Sequence, residues 1–151
     1  MHLRIVTINV WNEEGDSRRC EVINRELRRL DPDLVAFQEV VYTPERNQLD
    51  ELLKGLNLHS THQVQVMAGA PPMADRYGGN AVATPWPHRI VEAVDLRQSD
   101  APDVPWCTLA AAISVPDEGE VLFVAPTTSW RLDAESARER QVALTELEAR
   151  H

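Results

Sequence analysis

The chain has 151 residues, 43% hydrophobic and 26% charged, which are the proportions of one folded domain and exclude both a disordered tail and a two-domain protein. Fifteen basic residues against 24 acidic ones give a net charge of −9, so long-range attraction to nucleic acid is absent and phosphate chemistry would need a bound cation or local arginines. No apolar run approaches the roughly 18 residues of a membrane span, the first residues lack a basic-then-apolar leader, and Cys20 and Cys107 lack both disulfide-framework numbers and zinc-ligand spacing, which leaves a cytoplasmic domain as the expectation.

In chain order, residues 3–10 are β-branched and partly alternating, the mark of a strand. A polar turn at 12–16 follows. Cys20, Ile23, Leu27 and Leu30 then recur at helical spacing, with Asp16 or Ser17 able to cap, and Asp31-Pro32 stops that helix. Leu34-Val35-Ala36-Phe37 is a short continuous apolar run, as in a strand covered on both faces. Thr43-Pro44-Glu45 reads as the start of a second helix, with Leu49, Leu52, Leu53 and Leu56 as its apolar stripe. Residues 58–67 read as a strand. Shorter strands follow near 80–84, 89–95, 106–115 and 120–125, the last two joined by the turn Pro116-Asp117-Glu118-Gly119. Asp133 caps a final helix running to about 149. The class is mixed α/β, with strands sandwiched under helices, and a chain that ends on a helix has the pattern of an interrupted domain.

Three places carry candidate chemistry. Asn9 and Gln38-Glu39 fall at the carboxyl ends of the first two strands, where open α/β sheets collect ligands. A carboxamide beside a carboxylate is half of an oxygen-lined cation site; a solvated strand end and a turn former give the same pattern. The loop Asp75-Arg76-Tyr77-Gly78-Gly79-Asn80-Ala81 offers close backbone approach through its glycines and phosphate contacts through Arg76 and Tyr77, or else is an ordinary glycine turn. Thr127, Thr128, Ser129 and Trp130 at a strand end could bind a sugar or base edge, or make a routine turn. The histidines are scattered, and His59 and His62 fall on opposite faces of their strand.

The segment Leu3-Arg4-Ile5-Val6-Thr7-Ile8-Asn9-Val10-Trp11-Asn12 resembles the first strand of the endonuclease/exonuclease/phosphatase (DNase-I-like) superfamily. Asp31-Pro32-Asp33-Leu34-Val35-Ala36-Phe37-Gln38-Glu39-Val40 resembles its Pro-Asp strand that ends in Gln-Glu, the most specific match in the chain. Tyr77-Gly78-Gly79-Asn80-Ala81 is similar to the family's Tyr-x-Gly-x-Ala strand, Trp86-Pro87 to a pair that often follows it, and Arg138-Glu139-Arg140-Gln141 to the Arg-x-x-Gln of a later helix. The resemblance implies half of a four-layer α/β sandwich, a mixed sheet covered by helices. It also implies hydrolysis of a phosphoester, in nucleic acid or a small molecule, with Mg²⁺ or Mn²⁺ bound by Glu39 beside Asn9. Tyr77 would contact the scissile phosphate, with Asn80 close to it as a further catalytic candidate; the residue chemistry described above adds Arg76, Thr127 and Trp130 as substrate contacts.

The chain departs from that pattern in two ways. Ala125-Pro126-Thr127-Thr128 stands where the family has Asn-Thr-His-Leu, so a threonine replaces the phosphate-binding histidine and cannot carry its charge. The family's Asp-x-Asn strand and terminal Asp-His pair would come after residue 151. The expectation is therefore the amino-terminal part of one such domain over residues 1–151, completed by a carboxyl-terminal half or by a second copy. Half of the fold is expected to be one sheet with its helices, its other face left apolar and bare. The alternative is a catalytically degenerate binding module or split subunit that keeps the scaffold.

Overall fold

The computed structural model describes residues 2–67, 78–95, 107–127 and 142. The first strand, β1 (Ile5–Asn9), turns Val6 and Ile8 toward the helices and leaves Ile5, Thr7 and Asn9 exposed, as a period of two requires. Helix α1 (Arg19–Leu30) buries Cys20, Ile23 and Leu27 on one stripe. Its N-cap is Arg18, without a side-chain cap. The proposed cap Asp16 instead accepts from the Arg18 backbone N–H at 2.8 Å and from its guanidinium at 2.9 Å. The helix ends where the Asp31-Pro32 pair predicts, with Asp31 left-handed and its N–H returning to the Leu27 carbonyl.

The second unit differs from the sequence reading. Thr43-Pro44-Glu45 does not open a helix. Tyr42 bridges to Asn47, and the Thr43 N–H bonds the Arg46 carbonyl at 2.7 Å, which closes a tight turn. Helix α2 is confined to Gln48–Leu52, and Asn47 caps it by accepting from the Leu49 N–H. The strand expected over 58–67 also stops early: β3 covers His59–His62, and Gln63–Gln65 form a 3₁₀ turn. The cause is the His62 side chain, which accepts from the Val64 N–H and competes with strand pairing. The remaining strands are β4 (Gly79–Thr84), β5 (His88–Asp95), β6 (Cys107–Val115) and β7 (Gly119–Pro126). The final helix proposed over 133–149 lies outside the described residues.

Two sheets result. One has the order β1-β2-β4-β3, where β2 is Leu34–Val40; β1 and β2 are parallel, and the other pairs are antiparallel. The other is the antiparallel sheet β5-β6-β7. Val35, Phe37, Ala81 and Ala83 face α1 and α2, while Leu34, Ala36 and Val82 face Leu109, Ala111, Ile113 and Ala125 of the second sheet. That pairing corrects the expected bare face, because the first sheet is covered by helices on one side and by β6 and β7 on the other. Phe37 and Leu109 are fully buried, each adding roughly 1.5–3 kcal/mol of burial free energy. Among the described residues no helix is long and apolar enough to cross a membrane.

Candidate active site

The site begins with a break in strand β2. Its pairing with β4 slips between Phe37 and Val40, and Glu39 takes φ +58°. Phe37 and Val40 therefore both reach the helix-side core although they are three positions apart, an odd offset that strict alternation would send to opposite faces. Strict alternation would send the Glu39 side chain toward that core with Phe37; the bulge turns it out, half-buried, at the strand's carboxyl end. Gly78 makes the bulge possible. At φ +64° it sits so close that a Cβ there would lie 2.6 Å from the Val40 carbonyl carbon and 2.7 Å from that of Glu39. His62 also holds the Val40 carbonyl. Its Nε2 donates to the Val40 carbonyl at 3.0 Å, and its ring stacks on Tyr42 with centroids 5.0 Å apart. Burial pushes the imidazole pKa down to about 4, so the ring is neutral with its proton on Nε2.

The loop after β1 supplies the partners of Glu39. Asn9 Nδ2 donates to one carboxylate oxygen at 2.8 Å, and Asn12 Nδ2 donates to the other at 3.0 Å. The backbone between them is left-handed at two successive residues, Trp11 (φ +57°) and Asn12 (φ +43°), a conformation costing on the order of 1–3 kcal/mol per residue. Side chains hold it there. Asn9 Oδ1 accepts from the Trp11 N–H at 2.7 Å, and Asn12 Oδ1 accepts from the N–H groups of Glu13 and Glu14. Arg19, at the start of α1, donates to the carbonyls of Val10, Trp11, Asn12 and Glu14. Gln48, at the start of α2, donates to the Asn12 carbonyl at 2.8 Å.

This donor set fits a hard divalent cation. After one amide bond to each carboxylate oxygen, Glu39 keeps lone pairs on both. Among the described residues no basic side chain forms an ion pair with it. No group of three or more His, Cys, Asp or Glu side chains clusters among the described residues, but Mg²⁺ is commonly held by one or two carboxylates together with water and substrate phosphate.

The other sequence candidates fall into two sets. Asn80, 3% exposed, joins the two sheets: Nδ2 donates to the Cys107 carbonyl at 2.6 Å, and Oδ1 accepts from the Thr127 hydroxyl at 2.6 Å. The pair sits between β4 and the ends of β6 and β7, so Thr127 is held by Asn80. Gln38 turns to Thr7 of β1 rather than to Glu39. Tyr77, Arg76 and Trp130 lie outside the described residues, as do Thr128 and the Arg138–Gln141 segment. Sequence reasoning passed over Asn12, Arg19, Gln48 and His62 as site-forming residues. Only the spacing of Asn9 and Asn12 around an aromatic residue hinted at the first; the others act through backbone carbonyls that no motif displays.

Packed sheets that gather a carboxylate and carboxamides where two parallel strands end define an α/β sandwich with its polar groups at the usual ligand edge. No curated protein matches the sequence. The chain belongs to the Endonuclease/Exonuclease/phosphatase family, which matches residues 6–151. Among solved structures it is similar to an endonuclease/exonuclease/phosphatase from Beutenbergia cavernae DSM 12333, with 18% identity, a TM-score of 0.67, and coverage of 95% of this chain and 43% of that one. Truncated Caenorhabditis elegans TDP2 aligns at 14% identity and a TM-score of 0.73, covering 98% of this chain and 55% of that one. D. rerio TDP2 complexed with a single-strand DNA product aligns at 12% identity and a TM-score of 0.70, covering 99% and 55%. At these identities the likeness is one of fold, and the chain spans about half the length of the structures it matches.

Proposed function

We propose that this chain is the amino-terminal part of a divalent-metal-dependent phosphoester hydrolase, completed by a further half in the same polypeptide or in a partner. The observation that carries the reading is the Glu39 carboxylate, turned out of its strand by a bulge and held by two carboxamides, in a chain of this family. Glu39, with Asn9 beside it, would hold Mg²⁺ or Mn²⁺. Such an ion neutralises charge on a phosphate and on its leaving oxygen, which suits a protein of net charge −9. The chain's own residues do the positioning. Asn9 and Asn12 fix both carboxylate oxygens in one orientation, and Arg19 and Gln48 fix the loop that carries them.

Tyr77 and Arg76 are proposed to contact the phosphate, Thr127 and Trp130 to line the substrate, and Asn80 to act by holding Thr127. A nucleic-acid or nucleotide substrate is supported by the D. rerio TDP2 structure, which holds a single-strand DNA product; the acidic charge favours a short or small phosphoester over a long duplex. A second reading, a binding module without catalysis, draws support from Thr127. Its hydroxyl is given to Asn80, and the family's histidine position falls on Thr127 or Thr128, depending on a one-residue gap.

Glu39→Gln in the complete polypeptide separates the readings. Hydrolysis of a phosphodiester should fall by roughly two to three orders of magnitude, together with loss of the Mg²⁺-dependent rise in Tm. Full activity in the variant would remove Glu39 from the reaction. An unmutated protein that hydrolyses no phosphodiester and shows no Mg²⁺-dependent rise in Tm would favour the binding module.

A further inference from the structure

Trp11 is the one exposed tryptophan, tyrosine or phenylalanine among the described residues, with 56% of its surface open to solvent. A bare indole on a surface is ordinary; this one is not placed casually. Its backbone is left-handed, and so is that of the next residue. The two residues whose amides grip Glu39, Asn9 and Asn12, flank it, and its own N–H is bonded to Asn9. The ring is backed on the protein side. The Arg19 guanidinium carbon lies 5.4 Å from the ring centroid, and Gly15 packs so closely that a Cβ there would be 3.1 Å from the indole Cζ3. An indole supported on one side and open on the other, on a loop whose carbonyls take five hydrogen bonds from the Arg19 and Gln48 side chains, is a platform rather than a loose surface group.

What such a platform accepts follows from its charge. A cation on the open face would be repelled by the guanidinium beneath the ring, so a quaternary ammonium or lysine is disfavoured. An aliphatic chain would gain contact without direction. A neutral planar ring gains both dispersion and stacking, and every nucleobase has such a face. We propose that Trp11 is a stacking residue for a nucleobase attached to the phosphoester that Glu39 serves, so that the substrate class is a nucleotide or a nucleotide-terminated strand. The proposal rests on the phosphoester reading of the Glu39 site, yet it is read out by binding rather than by turnover.

The test compares adenosine 5′-monophosphate with ribose 5-phosphate, which carries the same phosphate and sugar without the base, by calorimetry in Mg²⁺ on the complete polypeptide. The unmutated protein should bind the nucleotide more tightly by roughly five- to 150-fold, the range set by one stacked base. Trp11→Leu should erase that preference while leaving ribose 5-phosphate binding unchanged, and Trp11→Phe should keep part of it. Equal affinities in the unmutated protein, no measurable binding of either compound, or a preference that survives in Trp11→Leu would each overturn the proposal. A Trp11-dependent preference in a protein without hydrolysis would support stacking while removing the phosphoesterase reading. Hydrolysis with a Trp11-independent preference would do the reverse.

Discussion

Glu39 shows how a single carboxylate is made useful by its neighbours. Placing Asn9 and Glu39 at adjacent strand ends was legible from the sequence, because the parallel register of β1 and β2 pairs Asn9 with Gln38. The role of Asn12 was not, since it depends on two left-handed residues, neither of them a glycine. His62 was equally hidden; its position in a strand pattern says nothing about the ring bonding a carbonyl of the neighbouring bulge. It does have a measurable consequence. The folded pKa lies near 4 against 6.5 for an ordinary histidine, so between those values the unfolded chain binds more protons. The stability His62 contributes is fully present above pH 6.5 and is lost as pH falls toward 4, by roughly 3 kcal/mol across the window. Urea midpoints measured from pH 7 to 4.5 should drop accordingly, and less steeply in His62→Gln. An NMR titration of the His62 ring with a midpoint near 6.5 would refute the assignment even if the variant does not fold.

At the scale of elements, the bulge in β2 is the device that places the catalytic candidate, and it is a joint product of two strands. Gly78 approaches the Glu39–Val40 peptide more closely than any side chain allows, so Gly78→Ala must either shift that peptide or push β4 away. The expected result is a loss of roughly 1–3 kcal/mol and a fall in hydrolysis of tenfold or more, because a small displacement of a positioned group is costly to rate. A crystal structure of the variant with Glu39 unmoved, at full activity, would show that the contact is incidental. The glycine was visible in the sequence as a turn residue; its partner, 38 positions earlier in the chain, was not. The second helix is present but starts five residues later than expected, for a related reason. Thr43-Pro44-Glu45 has the local chemistry of a helix start, but the same residues close a turn once Tyr42 pairs with Asn47, and tertiary pairing outweighs a local preference.

For the whole molecule, the order of strands and helices was readable because each carries its own period, whereas the division into two sheets was not, because the Pro85-Trp86-Pro87 break between β4 and β5 marks where one strand stops without saying which sheet the next one joins. Asn80 is where that division is held. Its amide joins β4 to the ends of β6 and β7, so Asn80→Ala should lower stability by roughly 1–3 kcal/mol through lost buried hydrogen bonds. A urea midpoint unchanged by the substitution would mean that apolar packing alone joins the sheets. The segment 10–14 has a wider meaning in the same frame. Strand β1 reaches it through Asn9, β2 through Glu39, α1 through Arg19 and α2 through Gln48, so four separate elements must be in place before it takes its shape. Its ordering is thereby charged to folding and not to ligand capture: an arriving molecule meets a surface already set, and the entropy usually lost when a binding loop freezes around its guest has been removed beforehand.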